Sequence, residues 1–362
     1  MRHLIVPSVD TQHWLNQIKA NDWMEPSYSI LSLDDDKKAI PLSAQAPKNT
    51  DDIWQGLEFV ELNRRKAAKR WTDLLEAELY QRFAEFWPKS YEIIGDILIV
   101  KLEDEVVPHQ REIAEAMLEK HPSIRLICAD KGVHGEFRVR NLTPIDSRDG
   151  DTSTLTRIRE GGKVILIDPT KSYFSARLSN ERLGNLISAK KLAKTLDRPI
   201  SVCDPYAGVG PAMASIISSP NLVDYALIGD LNPDAVSLLE QNITNFTRKV
   251  DTKVEIKLLC QDARLWKNTH DYLAKIDLLL VNLPHDTVNH IPELLPLMRK
   301  NSRSLIRGWA IINRDEVAEI RDTIERQLKQ HGATEIDLQC TEVKGYSTSR
   351  IFVRIESWQT FN

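Results

Sequence analysis

Four polar side chains follow short apolar runs in the C-terminal half of the chain, at points where the strands of a parallel sheet would end. In chain order they are Asp204, Asp230, Asp262 and Asn282. In open α/β sheets, ligands bind outside the carboxyl ends of the strands, so these side chains are expected to meet in one crevice. A carboxylate there can accept hydrogen bonds from ribose hydroxyls, and an amide can both donate and accept. The pattern predicts a ligand site, although plain turns would also place polar residues at strand ends.

Residues 204–211 read DPYAGVGP and connect an apolar run to a helix-like segment. Gly208 and Gly210 permit a tight turn and a close approach of the backbone to a ligand. Asp230 lies 22 residues after Gly208, where Rossmann-type folds place a carboxylate for ribose hydroxyls. Pro211 follows the second glycine and a third glycine is missing at the usual offset, which argues against a dinucleotide site. A glycine-rich turn of any α/β domain would explain the loop equally well.

The elements that must position these residues alternate in type between residues 166 and 357. Short apolar runs lie at residues 200–203, 225–228, 254–259, 278–281 and 305–312, and helical segments separate most of them. This alternation predicts a parallel sheet with helices on both faces. The last two runs, 335–343 and 349–355, have no helix between them, so one of them should pair antiparallel.

The first half of the chain predicts two smaller α+β domains, over residues 1–45 and 51–165, before a third domain over residues 166–362. Residues 43–50 are polar and contain a proline, which is typical of a linker. The elements expected in these domains are strands at 28–33 and 38–42, helical stretches from about 64 to 86, a strand at 91–100 and an amphipathic helix at about 109–120.

Bulk composition narrows the class of protein without pointing to a ligand. The chain has 362 residues, 42% apolar content and a formal net charge of −4, as expected for two or three globular domains. The charge gives no sign of nucleic-acid binding, which a local basic patch would still allow. The four cysteines are scattered, which predicts free thiols in a reducing cytoplasm and no zinc ribbon. No metal site, signal peptide or membrane-length apolar run is expected.

Three segments resemble motifs of the archaeal and eukaryotic tRNA (guanine-37-N1)-methyltransferases, which are class I enzymes that use S-adenosylmethionine. Residues 173–182, YFSARLSNER, are similar to the family signature YFSPR-L-x-x-ER. Residues 204–211 resemble its D-x-F-A-G-V-G-P, and residues 282–284 match its NLP loop. The resemblance covers essentially the whole chain, including the small N-terminal domain.

The resemblance implies a fold and a cofactor. The fold is α/β, a Rossmann-like class I methyltransferase sheet with an antiparallel C-terminal strand, preceded by two smaller α+β domains, of which the first would contact tRNA. The residues expected to hold S-adenosylmethionine are Tyr173, Asp204, Gly208, Gly210, Asp230, Leu231, Asp262, Ala263 and Asn282. The chain departs from the family pattern at Ala176, Tyr206 and Asn141, which replace a proline, a phenylalanine and an acidic residue.

The implied reaction, methylation of N1 of guanosine 37 in tRNA, requires a base for the N1 proton and a donor for the charge that develops toward O6. The resemblance assigns the base to Glu181 and the O6 contact to Arg140, while Asn282 can orient the guanine edge. The expected substrate-binding residues are Pro284, Arg177 and Tyr173. His285 is expected to be a loop residue.

Simpler roles stay open for the two charged residues. Glu181 falls in the first turn of a predicted helix, where the helix dipole favours a carboxylate by ~0.3–1 kcal/mol. Arg140 alternates with Arg138 on a predicted strand, so it could equally form surface salt bridges. Spacing alone does not choose between these roles and catalysis.

Contacts with RNA are the least visible property of the sequence. Basic residues cluster at 64–66 with 69–70 and at 190–191 with 194, and such clusters are usually solvated helix faces. Better candidates for phosphate contacts flank the expected site, namely Arg157, Arg159, Lys163, Lys171 and Arg177. The expected partner is tRNA, and the expected state is a cytoplasmic monomer without membrane contact.

Three alternative functions remain. A wyosine-pathway enzyme on the same scaffold would transfer an aminocarboxypropyl group or methylate the tricyclic precursor, and the NLP loop favours methyl transfer over the former. A non-catalytic RNA-binding protein would not need the acidic residues at the strand ends. An adenine-N6 or rRNA methyltransferase would normally carry N-P-P-Y, a pattern that Leu283 and His285 break.

Overall fold

The computed structural model describes residues 1–25, 28–34, 36–54, 56–62, 70–248 and 254–362. Contacts group the chain into two compact units. One unit comprises Met1–Trp87 and Glu105–Pro122, and the other comprises Pro88–Asp104 and Ser123–Asn362. This division differs from the expected one, and the limits of the three domains stay a prediction.

The first unit contains a four-stranded antiparallel sheet. Its strands are β1 (Arg2–Pro7), β2 (Leu31–Ser32), β3 (Lys37–Pro41) and β4 (Phe59–Glu61), in the order β2-β3-β1-β4. Helix α1 (Thr11–Ala20) buries Trp14, Leu15 and Ile18, the helical face that the spacing predicts. Of the strand expected over 28–33, only Leu31–Ser32 forms a strand, which pairs with β3.

The helical stretch expected from about 64 to 86 is wrong in part. Residues 63–69, which include most of the first basic cluster, lie outside the described residues. Beyond them, a 3-10 turn at Trp71–Leu74 and helix α2 (Ala77–Arg82) are separated by extended backbone at Leu75. The ring of Trp71 packs edge-to-face on Trp87 at 6.1 Å, so tertiary packing overrides the local helix preference. Helix α3 (Gln110–Lys120) confirms the amphipathic helix.

The second unit begins with a small sheet in the order β5-β6-β7-β8. Its strands are β5 (Tyr91–Ile94), β6 (Ile97–Val100), β7 (Leu126–His134) and β8 (Val139–Ser147). The single strand expected over 91–100 is wrong, because Gly95 (φ +61°) and Asp96 turn the chain into an antiparallel hairpin. Strands β9 (Thr156–Glu160) and β10 (Lys163–Ile167) form a separate two-stranded hairpin.

A seven-stranded sheet forms most of the second unit and confirms the predicted alternation. Its strands are β11 (Ile200–Asp204), β12 (Val223–Asp230), β13 (Glu255–Cys260), β14 (Leu278–Val281), β15 (Arg303–Asn313), β16 (Ala333–Gly345) and β17 (Arg350–Phe361). The order is β13-β12-β11-β14-β15-β17-β16, and β17 runs antiparallel to both of its neighbours. The helices of this unit are α4 (Ser179–Leu196), α5 (Pro211–Ile217), α6 (Pro233–Thr247), α7 (Thr287–Leu294) and α8 (Val317–Gln330).

Apolar clusters cover both faces of this sheet. Neighbouring residues of β11 divide between them: Val202 belongs to one buried cluster and Cys203 to the other. Strand β14 alternates in the same way, with Leu280 in the first cluster and Leu279 in the second. This two-sided burial explains why the strands are continuous apolar runs in the sequence.

The helices formed by the described residues include none with the length and apolar content needed to cross a membrane.

Candidate active site at the carboxyl ends of the strands

Three of the predicted residues line one cavity. Asp204 ends β11, Asn282 follows β14, and Glu181 lies in the first turn of α4. Tyr206 and Trp309 are among the other lining residues, and the empty volume, including the part open to solvent, is about 400 Å³. Strand β11 pairs with β12 on one side and β14 on the other, so the cavity lies at the topological switch point of the sheet, where ligands bind in such folds.

The glycine loop is the tight turn that the sequence predicts. Gly208 (φ +56°) and Gly210 (φ +82°) both adopt left-handed backbone conformations. A Cβ atom on Gly210 would also come within 2.6 Å of Leu239 Cδ1. The N–H of Gly208 donates to Asp230 Oδ2 at 2.8 Å, which ties the loop to the end of β12. Pro211 begins α5, where a missing N–H costs no helical hydrogen bond.

Asp204 carries a carboxyl group that the protein itself does not fully satisfy. The residue is 2% exposed, and its Oδ1 has no hydrogen-bond partner among the described residues. Burial raises the pKa of Asp204 to about 7; the N–H of Tyr206 acts against this rise, and the charge of Asp230 adds to it. A buried acceptor without a partner is costly, so this oxygen favours a ligand that brings a donor.

Asp230 and Leu231 end the neighbouring strand β12. The Asp230 carboxylate accepts the N–H of Gly208 and, at 3.0 Å, the N–H of Asn232. Burial raises the pKa of Asp230, although these N–H groups act in the opposite direction. The side chain of Leu231 is 47% exposed beside it, so a carboxylate and an apolar surface adjoin at this strand end.

Asp262 follows β13 and caps the 3-10 helix Ala263–Asn268 by accepting the N–H of Arg264. Its carboxylate also accepts from the Arg264 guanidinium at 2.6 Å, and this hydrogen bond lowers the pKa of Asp262. Ala263 is buried next to it. The sequence did not predict this arginine partner. The Asp262 carboxylate therefore accepts from both the backbone N–H and the guanidinium of Arg264.

Glu181 is buried and bonded to residues from distant strands. Trp309 Nε1–H donates to its Oε2 at 2.9 Å, and Arg354 Nη1 lies 3.2 Å from its Oε1. Arg307 Nη2 lies 3.9 Å from Oε2. These partners were missed by sequence reasoning, because no local pattern links them to the helix. The carboxylate thus borders the cavity as an acceptor held by two hydrogen-bond donors, with the Arg307 guanidinium close by as a further positive charge.

Arg140, to which the resemblance assigns the O6 contact, pairs with two carboxylates. On β8 its guanidinium binds Asp130 Oδ2 at 2.6 Å and also the carboxylate of Glu92. Burial acts to lower the pKa of Arg140, but the two carboxylates outweigh it and raise the pKa. Arg140 does not line the cavity that contains Glu181. The salt-bridging role, which the sequence left open, is the one this geometry shows, and an O6 contact stays a prediction.

The NLP loop after β14 is held firmly on its non-cavity side. The carbonyl of Pro284 accepts the N–H of Ile311 at 2.8 Å. The Thr287 hydroxyl lies 2.8 Å from the carbonyl of Leu283 and 2.6 Å from that of Trp309, and donates to one of them at a time. Asn282 at the head of the loop is exposed, so its amide is available to a ligand.

Residues 173–182 run from the end of β10 into α4. Tyr173 is 61% exposed and Arg177 is exposed, so both are accessible to a large substrate. Arg182 anchors the loop: it binds both Glu160 carboxylate oxygens at 2.5 Å and the carbonyl of Ser175 at 3.1 Å. This clamp holds the loop that carries alanine in place of the family's proline.

Tyr206, the departure from the family's phenylalanine, joins a chain of polar contacts. Its hydroxyl lies 2.6 Å from His290 Nδ1, and His290 Nε2 lies 3.1 Å from Asp286 Oδ2. Burial raises the pKa of Tyr206, so the hydroxyl stays protonated at neutral pH. The chain connects the glycine loop to α7 just beyond the NLP loop. Sequence reasoning did not single out His290.

Exposed basic side chains lie on the β9–β10 hairpin and on the later turns of α4. Arg157 and Arg159 alternate along β9 and both are exposed, so they lie on one open face of the hairpin. Lys190, Lys191 and Lys194 of α4 are also exposed, as expected for a solvated helix face.

A doubly wound sheet with an antiparallel seventh strand, a glycine turn after its first strand and acidic side chains at neighbouring strand ends defines a Rossmann-like methyltransferase domain. The family model described as the TRM5/TYW2 methyltransferase domain matches residues 156–336, and a TYW2 N-terminal domain model matches residues 71–145. The chain belongs to the TRM5/TYW2 methyltransferase family.

Similar proteins extend this result. The chain is 31% identical over 242 residues to tRNA (guanine(37)-N(1))-methyltransferase Trm5b of Pyrococcus abyssi, covering 65% of this chain and 66% of that protein. It is 30% identical over 221 residues to tRNA (guanine(37)-N(1))-methyltransferase 1 of Vitis vinifera, covering 60% of this chain but only 34% of that protein. A solved complex of aTrm5 with tRNALeu has the same fold, with a TM-score of 0.64 at 22% identity over 99% of this chain and 100% of that one.

Proposed function

We propose that this chain transfers a methyl group from S-adenosylmethionine to N1 of guanosine 37 in tRNA. The observation that carries the proposal is the meeting of Glu181, Asp204 and Asn282 in one cavity at the switch point of a methyltransferase sheet. The names of the archaeal and plant relatives and the solved complex with tRNALeu support guanosine 37 and tRNA as the substrate.

The strand ends fit the proposed cofactor. The unpartnered Oδ1 of Asp204 would accept from the ammonium group of S-adenosylmethionine, and Asp230 would face its ribose. Asp262 and the apolar surface of Leu231 would border the adenine. The other residues proposed to hold the cofactor are Tyr173, Gly208, Gly210, Ala263 and Asn282. When bound, the cofactor supplies a methyl group on a positively charged sulfur.

The chain's own residues provide the acid–base chemistry. Glu181 accepts the N1 proton of guanine as the N1–H bond breaks and the new N1–C bond forms. Its hydrogen bonds leave further lone pairs on each carboxylate oxygen for this proton. Asn282 orients the Watson–Crick edge, and the fixed backbone of Pro284 keeps that amide in place. Such positioning supplies much of the rate in a direct displacement.

The remaining proposals concern the residues that contact RNA, the cellular compartment and the oligomeric state. Tyr173 and Arg177 are proposed to contact the flipped-out nucleotide and its phosphates, with Arg157 and Arg159 farther along the backbone. Arg140 would reach O6 only after leaving its carboxylate partners. The protein is proposed to act as a monomer in the cytoplasm. Its free cysteines are suited to that reducing compartment.

The proposal is tested with an unmodified tRNA transcript that carries guanosine 37 and a matched transcript with adenosine 37. Labelled methyl groups should enter the first transcript and not the second, because adenine presents an N1 lone pair to the Glu181 carboxylate where guanine presents an N–H donor. Equal labelling of both transcripts, or of neither, would contradict the proposal.

A second candidate is aminocarboxypropyl transfer from the same cofactor. The match of residues 71–145 to the TYW2 N-terminal domain model is the observation that favours it. The intact Asn282-Leu283-Pro284 loop favours methyl transfer instead. Mass spectrometry of the modified nucleoside separates the two, because the two groups differ in mass.

A further inference from the structure

A polar cluster lies between α4 and one face of the β15–β17 strand pair. Trp309 and Arg354 are direct cross-strand partners, so their side chains point to the same face of the sheet. Arg307 lies two residues before Trp309 and shares that face, opposite its own partner Glu356. All of them lie under the first turns of α4, where Glu181 is buried.

The contacts fix both oxygens of the Glu181 carboxylate. Trp309 Nε1–H donates to Oε2 at 2.9 Å, and Arg354 Nη1 lies 3.2 Å from Oε1. Arg307 lies beside this group. It is 2% exposed and binds Glu356 at 2.8 Å and the Ser188 hydroxyl at 2.5 Å. A carboxylate with a donor on each oxygen has one orientation, which is what a base needs in order to meet a single proton.

The charges of the cluster balance before the reaction. Two arginines, 307 and 354, face two glutamates, 181 and 356. When Glu181 accepts a proton its charge is lost, and one positive charge remains beside it. The Arg354 side chain is 31% exposed, whereas that of Arg307 is 3% exposed, so Arg354 is the cation that stays accessible.

Resting on the proposed function, we propose that Trp309 and Arg354 are positioning residues of the methyl transfer. Trp309 holds the Glu181 carboxylate in the orientation that meets the N1 proton. Arg354 holds the other oxygen and leaves a positive charge beside the base as negative charge develops toward guanine O6. No motif in the sequence marks either residue, since both reach Glu181 from strands far along the chain.

The test compares four variants of the full chain with tRNA and S-adenosylmethionine: Trp309→Phe, Arg354→Ala, Arg354→Lys and the control Trp358→Phe. Trp358 is a matched control because it is also a buried tryptophan of this strand pair and donates to a glutamate of the cluster, Glu356, at 3.1 Å. Single-turnover rates at saturating tRNA and cofactor, cofactor affinity by titration calorimetry and thermal melting are measured for each.

Trp309→Phe should slow single turnover on the order of 10-fold, and Arg354→Ala on the order of 100-fold. These losses do not exceed the low end of the roughly 10²–10³-fold range for removing a donor to the reacting atoms, because both residues act through Glu181. Arg354→Lys should recover part of the loss, because lysine restores the positive charge but lacks the planar guanidinium group with its fixed N–H donors. Trp358→Phe should stay within about threefold of wild type, and cofactor affinity should stay within about threefold in all four variants.

Three results overturn the inference: wild-type rates in Trp309→Phe and Arg354→Ala, losses in Trp358→Phe as large as in Trp309→Phe, or rate losses that follow cofactor affinity. A melting loss without a rate loss at a temperature where the variant is folded also counts against it. Failure of the proposed function is distinguishable, because the wild-type protein would then leave guanosine 37 unmethylated.

Discussion

Lowering the pH should weaken cofactor binding through one buried carboxyl group, that of Asp204. Its Oδ1 has no hydrogen-bond partner in the part of the chain that the structure describes, and burial raises the pKa of the carboxyl group to about 7. A positively charged donor binds the ionised form, whereas protonation removes the charge it needs. Between about pH 8 and about pH 5.5 the ionised fraction falls roughly 30-fold, and the affinity for S-adenosylmethionine should fall by a similar factor.

The same group should affect folding stability in the opposite direction. The pKa of Asp204 is higher in the folded chain than its ordinary value of 3.8, so the folded state holds the proton more tightly. Stability from this group is therefore fully present below about pH 4 and is lost as the pH rises through about 7. The difference corresponds to roughly 4 kcal/mol of unfolding free energy, at ~1.36 kcal/mol per tenfold change in proton affinity.

Asp204→Asn separates these effects, because asparagine is similar in shape and does not ionise. The variant should bind the cofactor weakly and with little pH dependence, and above about pH 8 it should be more stable than wild type. Asp262→Asn is the control. The Arg264 hydrogen bond lowers the pKa of Asp262, so this carboxylate is ionised at both pH values. Replacing it should therefore weaken cofactor binding equally at both. Titration calorimetry and urea unfolding at about pH 5.5 and 8 measure both quantities. Wild-type affinity that is constant across this range would refute the reasoning.

Three further substitutions test other parts of the structure. Glu181→Gln should lower the single-turnover rate by ~10²-fold or more with cofactor affinity nearly unchanged, measured by rapid quench and calorimetry; an unchanged rate would exclude Glu181 as the base. Tyr206→Phe removes the 2.6 Å hydrogen bond to His290 and should lower the unfolding free energy by about 1 kcal/mol in urea titrations. Asp277→Asn should cost about 1–3 kcal/mol in the same assay, because this fully buried carboxylate pairs with Arg198 and Arg299, whose side chains are 34% and 33% exposed.

The parallel part of the sheet could be predicted from the sequence because its strands are short apolar runs separated mostly by helical segments. Burial on both faces makes such runs continuous, and the polar residue after each run marks the strand end. The hairpin at Gly95-Asp96 was missed because the prediction treats residues 91–100 as one strand. A Gly-Asp pair between two short apolar runs is a hairpin signal, and the positive φ of Gly95 shows the turn.

The site could be predicted only in part. Asp204 and Asn282 were recognised from their positions after apolar runs, and the structure brings them together with Glu181. The partners of Glu181 could not be predicted, because Trp309 and Arg354 lie 128 and 173 residues away and meet it only through sheet pairing. No local periodicity encodes contacts of that range.

For Arg140 the sequence suggested a role that the contacts in the structure do not show. A motif resemblance gave it a substrate role, whereas the structure gives it two carboxylate partners, from β5 and β7 of the same sheet. Asp130 and Glu92 each lie on a strand that the sequence located only roughly, so their convergence on Arg140 was not visible. Charge pairs of this kind depend on register, which the sequence pattern does not specify.

The central claim is tested most directly by identifying the product nucleoside at position 37. A tRNA transcript is incubated with S-adenosylmethionine and the wild-type chain or Glu181→Gln, digested, and examined by nucleoside mass spectrometry with site mapping by reverse transcription. We expect 1-methylguanosine at position 37 with a reverse-transcription stop for wild type, and little product for Glu181→Gln. A methyl group on the exocyclic amine, a methylated nucleoside elsewhere, or equal product from both proteins would contradict it.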